Sequence, residues 1–193
     1  MTVTFQDDVL RAFEEAGAIK RGHFLLSSGL HSDEYWEKFE VLQWPRYTEP
    51  LCRHIAELFR GQDIQVVAGP TTGGVVLAYA TARALDVRAA YAEERSDGPG
   101  RIFRRGRGIQ PGERVLIVDD VLTTGGSVRE VIAAVEQAGG IVAGICVLVD
   151  RSTAPVNLGY PWRALARVNV QSWPPAACPL CRTGVPLQQL GGT

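Results

Sequence analysis

Lysine, cysteine and long apolar segments are all scarce in this chain, and the last two shortages each exclude a class of protein. Four cysteines among 193 residues are too few for a disulfide framework to take the place of a hydrophobic core. No apolar run approaches the length needed to cross a bilayer, and the N-terminus has neither the cationic region nor the apolar segment of a signal peptide. We therefore expect a cytoplasmic protein with no membrane partner.

An excess of one charge is also missing, because the formal net charge is only −1. Without a general excess of positive charge, nucleic acid is not expected as a partner. Lys20 and Lys38 are the two lysines, so arginine supplies nearly all of the positive charge. Hydrophobic residues make up 46% and charged residues 21% of the chain, which predicts a single globular domain with a substantial core.

The most informative segment is a predicted strand that ends in two carboxylates. The apolar run 115–118 predicts a parallel strand that is covered on both faces. Asp119 and Asp120 follow it, and two threonines and two glycines lead from there to Ser127. Ser127 and Glu130 have the spacing of a capping box, so we expect a helix to begin at this serine.

This order of strand, acid pair, glycine loop and helix start predicts an anion-binding site. Backbone N–H groups converge at the start of a helix, the helix dipole adds to their attraction, and glycine lets a ligand approach the backbone. The lysine of a Walker loop is missing here. A sugar phosphate would fit, with carboxylates for the ribose hydroxyls and amides for the phosphate. The alternative is an ordinary turn with carboxylates at the surface.

A second loop has the same four residues. Thr71–Gly74 repeats the Thr-Thr-Gly-Gly of residues 123–126, again between a predicted strand and a predicted helix. Two phosphate loops at neighbouring strand ends suit a ligand that is phosphorylated at both ends. The alternative is two coincidental turns. Below, residues 71–74 are called the first loop and residues 119–127 the second loop.

Strands and helices alternate along the middle of the chain, which predicts a parallel sheet with right-handed crossovers. We expect one domain, 1–193, with an N-terminal hood of about residues 1–60, an α/β core of about 61–170 and a proline-rich tail of 171–193. The predicted helices are Thr4–Ala16, about Thr48–Gly61 with Pro50 in its first turn, Gly73–Leu85 and a helix from Ser127; the predicted strands are 22–29, 30–36, 64–68, 88–92, 115–118, 141–149 and 164–170.

Five arginines lie close together between the two loops, on a segment with several glycines. A group of positive charges is usually a solvated surface. Beside two phosphate loops, however, it predicts a mobile cover that closes on a phosphate. The five are Arg95, Arg101, Arg104, Arg105 and Arg107. Residues 93–108 are called the arginine segment below.

The second loop resembles the 5-phosphoribosyl 1-pyrophosphate (PRPP) signature of the type I phosphoribosyltransferases, and the longer pattern is most similar to the orotate-specific branch. The resemblance implies a Rossmann-like parallel sheet flanked by helices with a small hood, PRPP and Mg²⁺ as ligands, and a homodimer with the arginine segment near the partner's site. It implies that Mg²⁺ is held mainly through PRPP, with no dedicated set of protein ligands. No side chain is needed as a nucleophile, since catalysis depends on positioning and charge.

The resemblance also implies roles for individual residues. It assigns catalysis to Asp119, Asp120 and Arg95. It assigns binding of the ribose and 5′-phosphate to Asp119, Asp120, Val121, Leu122, Thr123, Thr124, Gly125, Gly126 and Ser127. It assigns binding of pyrophosphate to Thr71, Thr72, Gly73, Gly74, Arg95, Arg104 and Arg105. It assigns binding of orotate to Thr123, Arg151, Tyr35 and Trp36.

The choice of base depends on Arg151, which follows a predicted buried strand at the same sheet edge. Orotate carries a carboxylate, for which a forked guanidinium is the expected partner. An arginine paired with Asp150 is the alternative. A transferase for a purine or for uracil would not need this residue. A non-catalytic PRPP-binding regulator is a further alternative, because Ser27, Gly73 and Ser96 stand where many family members have lysine.

The tail contains one more pair of residues with metal-ligand spacing. Cys178 and Cys181 are separated by two residues, but a zinc site needs four ligands and no second pair follows them. A structural turn or reduced thiols is the favoured interpretation. Cys52 and Cys146 lie in apolar segments and are expected in the core.

Overall fold

The structure is a computed structural model that describes residues 5–26 and 28–190. The predicted first residue of the N-terminal helix, Thr4, and the lysine-replacing Ser27 lie outside the described residues. The helices are α1 (Gln6–Glu15), α2 (Lys38–Leu42), α3 (Pro45–Phe59), α4 (Gly73–Leu85), α5 (Gly126–Gln137) and α6 (Pro179–Arg182). The strands are β1 (Ile19–Leu25), β2 (His31–Trp36), β3 (Val66–Pro70), β4 (Arg88–Glu94), β5 (Arg101–Ile102), β6 (Arg114–Leu122), β7 (Ile141–Asp150), β8 (Trp162–Arg167) and β9 (Ser172–Trp173).

The main sheet has six strands in the order β5-β4-β3-β6-β7-β8. All neighbours pair in parallel except β5, which is antiparallel to β4 at the edge. The central strands are apolar on both faces, because helices cover the sheet from both sides. Leu77 of α4 and Ile55 of α3 pack against one face, and Val131 of α5 packs against the other. The predicted parallel α/β fold is confirmed.

The first and second loops both follow central strands. The first loop connects β3 to α4, and the second loop continues β6 into α5. Since β3 and β6 are neighbours in the sheet and run in parallel, their carboxyl ends bring the two loops to the same edge. This edge is therefore the expected place for a ligand.

A second sheet holds the hood and part of the tail together. β1 and β2 form an antiparallel hairpin, and β9 pairs with the other edge of β2. The proline-rich tail therefore joins the N-terminal hairpin, which the sequence did not indicate. Among the described residues, no helix is long and apolar enough to span a membrane.

Several predicted boundaries need correction. The short helix α2 was missed, and α3 begins at Pro45, so that Pro45 and not Pro50 occupies its first turn. The strand β6 continues through Leu122, which places both aspartates inside the strand. The capping box at Ser127 does not form: Gly125 is the N-cap in a left-handed conformation, and no side chain caps the helix. Its expected partner, Glu130, instead accepts a hydrogen bond from Arg101.

Candidate active site

The acid pair lies at the end of β6 and is almost completely buried. Asp119 is 6% exposed and Asp120 is 2% exposed. Asp119 Oδ1 accepts a hydrogen bond from the Asp120 amide at 2.9 Å, and Asp120 Oδ1 accepts one from the Val121 amide at 2.7 Å. Among the described residues, the second oxygen of Asp120, Oδ2, is buried without a hydrogen-bond partner. A buried carboxylate oxygen of this kind is available for a hydroxyl or a cation.

Lys38 supplies positive charge to this pair from the hood. Its Nζ donates to Asp120 Oδ1 at 3.0 Å, and the side chain is still 37% exposed. The residue is the first of α2, the helix that was missed, and it lies 82 positions from its partner. The sequence marked it only as one of two lysines. No local signal could have connected it to the acid pair.

Burial changes the protonation of both carboxyl groups. It raises the pKa of Asp119 to about 7, and the neighbouring Asp120 carboxylate acts in the same direction. Burial also raises the pKa of Asp120, whereas the attraction and hydrogen bond of Lys38 lower it. A ligand that brings positive charge or hydroxyl donors to the pair will therefore favour its ionised form.

The first loop is packed so tightly that its glycines are required. A Cβ atom on Gly74 would lie 2.5 Å from Pro70 Cδ and 3.0 Å from the Gly69 carbonyl carbon. A Cβ atom on Gly73 would overlap Asp120 Oδ2, so the absence of a side chain lets this loop reach the acid pair. Because α4 begins at Gly73, the amides of its first turn have no acceptor within the helix. They can bind an anion.

Arg101 holds the first loop in place. This side chain is only 7% exposed, and its Nη1 donates to Thr71 Oγ1 at 2.9 Å and to the Ala92 carbonyl at 3.2 Å. Its Nε donates to Glu130 of α5 at 3.1 Å. The sequence placed Arg101 in a mobile segment without a specific role, but it lies in β5 and connects the first loop to α5. Its position could not be read from the sequence because β5 has only two residues.

The second loop surrounds a small cavity of about 140 Å³. Residues 121–128 and Asp119 line it, and the side chains of Thr123, Thr124 and Ser127 are exposed. Arg129 of α5 holds the loop from outside by donating to the Thr124 carbonyl at 2.6 Å. A volume of this size suits one small group, such as a phosphate, more than a whole ligand. A larger cavity of about 490 Å³ lies between α1 and α3 and contains no residue of either loop.

Three arginines of the arginine segment were predicted to bind pyrophosphate. In the structure, each of them pairs with another residue of the same segment. Arg95 donates to Asp97 at 2.8 Å, Arg104 to Ser96 at 3.0 Å and Arg105 to Glu93 at 3.3 Å. These contacts are largely exposed, so they are weak and can be exchanged for a phosphate. The structure does not bring these guanidinium groups into contact with the first loop, unlike Arg101.

Arg151 directly follows β7, and its amide donates to the Leu122 carbonyl at 2.8 Å. Burial lowers the pKa of its guanidinium, and its Nε is buried without a hydrogen-bond partner among the described residues. Among the described residues, the alternative pairing with Asp150 is not found: Asp150 forms a salt bridge with Arg167 at 3.4 Å and accepts a hydrogen bond from the Ser152 amide. A half-buried guanidinium whose buried N–H group is unused is suited to bind an anion.

Tyr35 and Trp36 lie at the end of β2 and face opposite ways, as neighbours in a strand must. Tyr35 is half-buried and close enough to Arg151 for their charges to influence each other. Trp36 is 8% exposed, packs on Phe13 with ring centroids 5.1 Å apart, and donates to Glu34. Of the predicted pair, Tyr35 is therefore the side chain on the Arg151 side, and Trp36 belongs to the core.

Comparison with known proteins agrees with this geometry. A family model described as the phosphoribosyl transferase domain matches residues 40–177. The chain belongs to the phosphoribosyl transferase family. This family match includes both loops, the acid pair, the arginine segment and Arg151.

Relatives within the family carry a more specific name. An orotate phosphoribosyltransferase of Pelotomaculum thermopropionicum is 50% identical over 186 residues, which is 96% of this chain and 97% of that protein. An orotate phosphoribosyltransferase of Thermus thermophilus is 43% identical over 183 residues, covering 95% of this chain and all of its own length.

A solved structure of a protein with the same name has a similar fold. The crystal structure of orotate phosphoribosyltransferase from Aeropyrum pernix superposes with a TM-score of 0.72 at 27% identity, covering 83% of this chain and 93% of that one. The predicted membership of this family is confirmed. The residue roles that the resemblance implied are not tested by these comparisons and remain predictions.

Proposed function

We propose that this chain transfers the phosphoribosyl group of PRPP to orotate, giving orotidine 5′-monophosphate and pyrophosphate. The names of the relatives support the reaction, and the observation that carries the choice of base is Arg151. Its side chain is half-buried, its buried Nε–H group has no hydrogen-bond partner among the described residues, and it lies at the sheet edge of the two loops. A carboxylate on the base would complete its hydrogen bonds. Uracil and the purines bring no such group.

The acid pair and the two loops would act on PRPP, the other substrate of the reaction. The bond from the ribose C1 to the pyrophosphate oxygen breaks, and its electron pair leaves with pyrophosphate. A ring nitrogen of orotate gives up its proton to solvent or to the leaving pyrophosphate and bonds to C1. Positive charge develops on the ribose, next to Asp119 and Asp120. Amides of the second loop bind the 5′-phosphate, and amides of the first loop bind the pyrophosphate.

We also propose that Mg²⁺ accompanies PRPP. The site fits such a cation, because Asp120 Oδ2 is a buried oxygen without a partner among the described residues, and oxygen is the ligand that Mg²⁺ prefers. The substrate's own oxygens would hold most of its coordination sites, with Asp119 and Asp120 beside it and no dedicated set of protein ligands. When bound, it supplies charge neutralisation for the leaving pyrophosphate.

A homodimer, with the arginine segment near the partner's active site, is part of the same proposal. Arg95, Arg104 and Arg105 make only exposed contacts within their own segment, and Ile102 at the sheet edge is 37% exposed. Both observations leave these side chains available to a second chain. Sedimentation of the purified protein tests the dimer. The cytoplasmic location remains a prediction.

Base choice is tested with PRPP, Mg²⁺ and a panel of orotate, uracil, adenine and hypoxanthine, with pyrophosphate release as the signal. Orotate should be the preferred base. In Arg151→Ala, loss of a charge-assisted hydrogen bond of about 1.5–3 kcal/mol should raise the KM for orotate roughly ten- to a hundredfold and leave that for PRPP nearly unchanged. Arg163→Ala, on the neighbouring strand, is the matched control.

Three results would contradict this proposal in different ways. Equal loss of affinity for orotate and PRPP in Arg151→Ala would make the residue structural. Preference for a purine or for uracil in the wild-type protein would assign another base. PRPP binding without pyrophosphate release for any base would identify a regulator.

A further inference from the structure

The two tail cysteines do have a second pair of potential ligands, but that pair precedes them in the chain. His23 of β1 and His31 of β2 lie beside Cys178 and Cys181, and one ligand atom from each of the four lies within 4.8 Å of all the others. Three of the four residues are buried, and Cys181 is exposed. We propose a structural zinc site formed by four side chains: His23, His31, Cys178 and Cys181.

The spacing of the ligand atoms is close to that of a tetrahedral zinc site. Cys178 Sγ lies 3.4 Å from His23 Nε2, and Cys181 Sγ lies 3.7 Å from His23 Nε2 and 3.3 Å from His31 Nδ1. Around zinc, tetrahedral bonds place a sulfur and a nitrogen about 3.6 Å apart. The two nitrogens are 2.9 Å apart, and about 3.3 Å is expected. These four distances differ from the tetrahedral values by a few tenths of an ångström, and the two remaining pairs of ligand atoms lie within 4.8 Å.

The hydrogen bond of His23 selects the ring tautomer that a metal requires. Its Nδ1 lies 2.8 Å from the Val185 carbonyl oxygen, which can only accept, so Nδ1 carries the hydrogen. The lone pair of the neutral ring is then on Nε2, which faces the other three ligand atoms. A backbone carbonyl that orients a histidine from behind is a common feature of zinc sites.

The local fold provides the usual framework for such a site. Cys178 is the N-cap of α6 and Cys181 lies within this four-residue helix, so a tight turn brings both sulfurs to one side. The two histidines come from the antiparallel strands of the hairpin. Two cysteines and two histidines are a ligand set typical of structural zinc, and all four positions are then filled by protein. Catalysis at this metal is not expected.

The tail needs this support because it has almost no apolar core of its own. Between residues 174 and 190, Cys178 is the single buried residue, and Leu187 is 46% exposed. Beyond the cluster, backbone hydrogen bonds of Gln188 to His23 and Leu25 attach the tail to the hairpin. A metal commonly replaces a core in segments of this kind. The same hairpin carries Tyr35, so zinc would also fix one wall of the proposed base site.

The first test is the metal content of the full-length protein without an affinity tag, after dialysis under reducing conditions. Mass spectrometry of the metals should find about one zinc per chain. Cys178→Ser and His31→Ala should each lose it, whereas Cys52→Ala, a buried cysteine outside the cluster, should retain it. A zinc content that these two variants leave unchanged would place the metal elsewhere and overturn the proposal.

A second measurement on the wild-type protein keeps the proposal testable if the variants fail to fold. Titration of Co²⁺ into protein stripped with a chelator should give the absorption of a tetrahedral site with thiolate ligands, and Zn²⁺ should abolish it. Removal of zinc should lower the Tm by about 5 °C or more, and Zn²⁺ but not Mg²⁺ should restore it. No binding of Zn²⁺ or Co²⁺, or a disulfide between Cys178 and Cys181 in the protein as purified, would overturn the proposal. None of these results depends on which base the enzyme uses.

Discussion

The two loops share the residues Thr-Thr-Gly-Gly but lie in different surroundings. In the first loop Gly74 packs against Gly69 and the Pro70 ring, Gly73 packs against Asp120, and the buried Arg101 donates a hydrogen bond to Thr71. In the second loop both threonines are exposed around a cavity of about 140 Å³, and Arg129 holds the backbone from the outside. The comparison teaches that the shared sequence encodes a helix start with free amides. The residues packed around each loop determine whether the helix start is held rigidly or faces an open cavity.

The largest expected effect concerns the point where the loops meet, at Asp120. Asp120→Asn keeps the shape and the hydrogen bond from Val121 but removes charge next to the developing cation, so kcat should fall about 10²–10³-fold. PRPP binding should persist. Steady-state kinetics and calorimetry measure both, and Asp63→Asn, at an exposed position far from the sheet edge, is the control. Near-normal turnover would mean that the acid pair is not part of the reaction.

The next prediction compares the loops directly by adding one methyl group to each. Gly74→Ala should lower the free energy of unfolding by about 1–3 kcal/mol, because the new Cβ would press on Pro70 and Gly69. Gly126→Ala meets nothing closer than 3.9 Å and replaces a helical glycine, so its stability should be unchanged or up to about 1 kcal/mol higher. Urea denaturation measures both. Equal effects would show that the two loops are packed alike.

The pH dependence of stability tests the buried acid pair without any ligand. Because the pKa of Asp119 is raised in the folded state, the folded protein binds more protons than the unfolded chain between about pH 4 and pH 7, and stability falls as pH rises through this interval. In Asp119→Asn no carboxyl group titrates at this position. The decrease in stability that Asp119 causes should therefore be absent from this variant. The Tm of the variant, measured relative to wild type, should therefore rise from pH 5 to pH 8. A constant difference would contradict the raised pKa.

The smallest effect is expected in the arginine segment. Replacing Arg104 and Arg105 together with alanine should weaken PRPP and pyrophosphate several-fold and leave orotate unaffected, because these exposed side chains make only weak contacts in the free protein. Calorimetry at physiological salt measures this. Arg101→Ala, in contrast, should also reduce stability, since it removes a buried anchor of the first loop. If PRPP affinity is unchanged in the double variant, the segment is a solvated surface.

Local patterns predicted much of the fold and of the candidate site. The helix 73–85 was predicted with its observed boundaries, and the apolar run that ends at Asp119 and Asp120 was assigned to a central strand. The short elements were missed because α2, β5 and β9 have five, two and two residues, too few for a periodicity to develop. The capping box failed because Gly125 supplied the left-handed cap one residue before α5, which left Glu130 free to bind Arg101.

By itself, the sequence determined the parts of this protein that depend on neighbours along the chain: the alternation of strands and helices, the two loops and the acid pair. Only the tertiary structure decided which distant side chains meet. Lys38 and Asp120 lie 82 positions apart, and His23 and Cys178 lie 155 apart. Strand periodicity and turn chemistry act over a few residues, whereas the first contact arises when the hood packs on the core and the second when the tail packs on the hood. For this reason the cysteine pair by itself could not indicate that two histidines lie beside it.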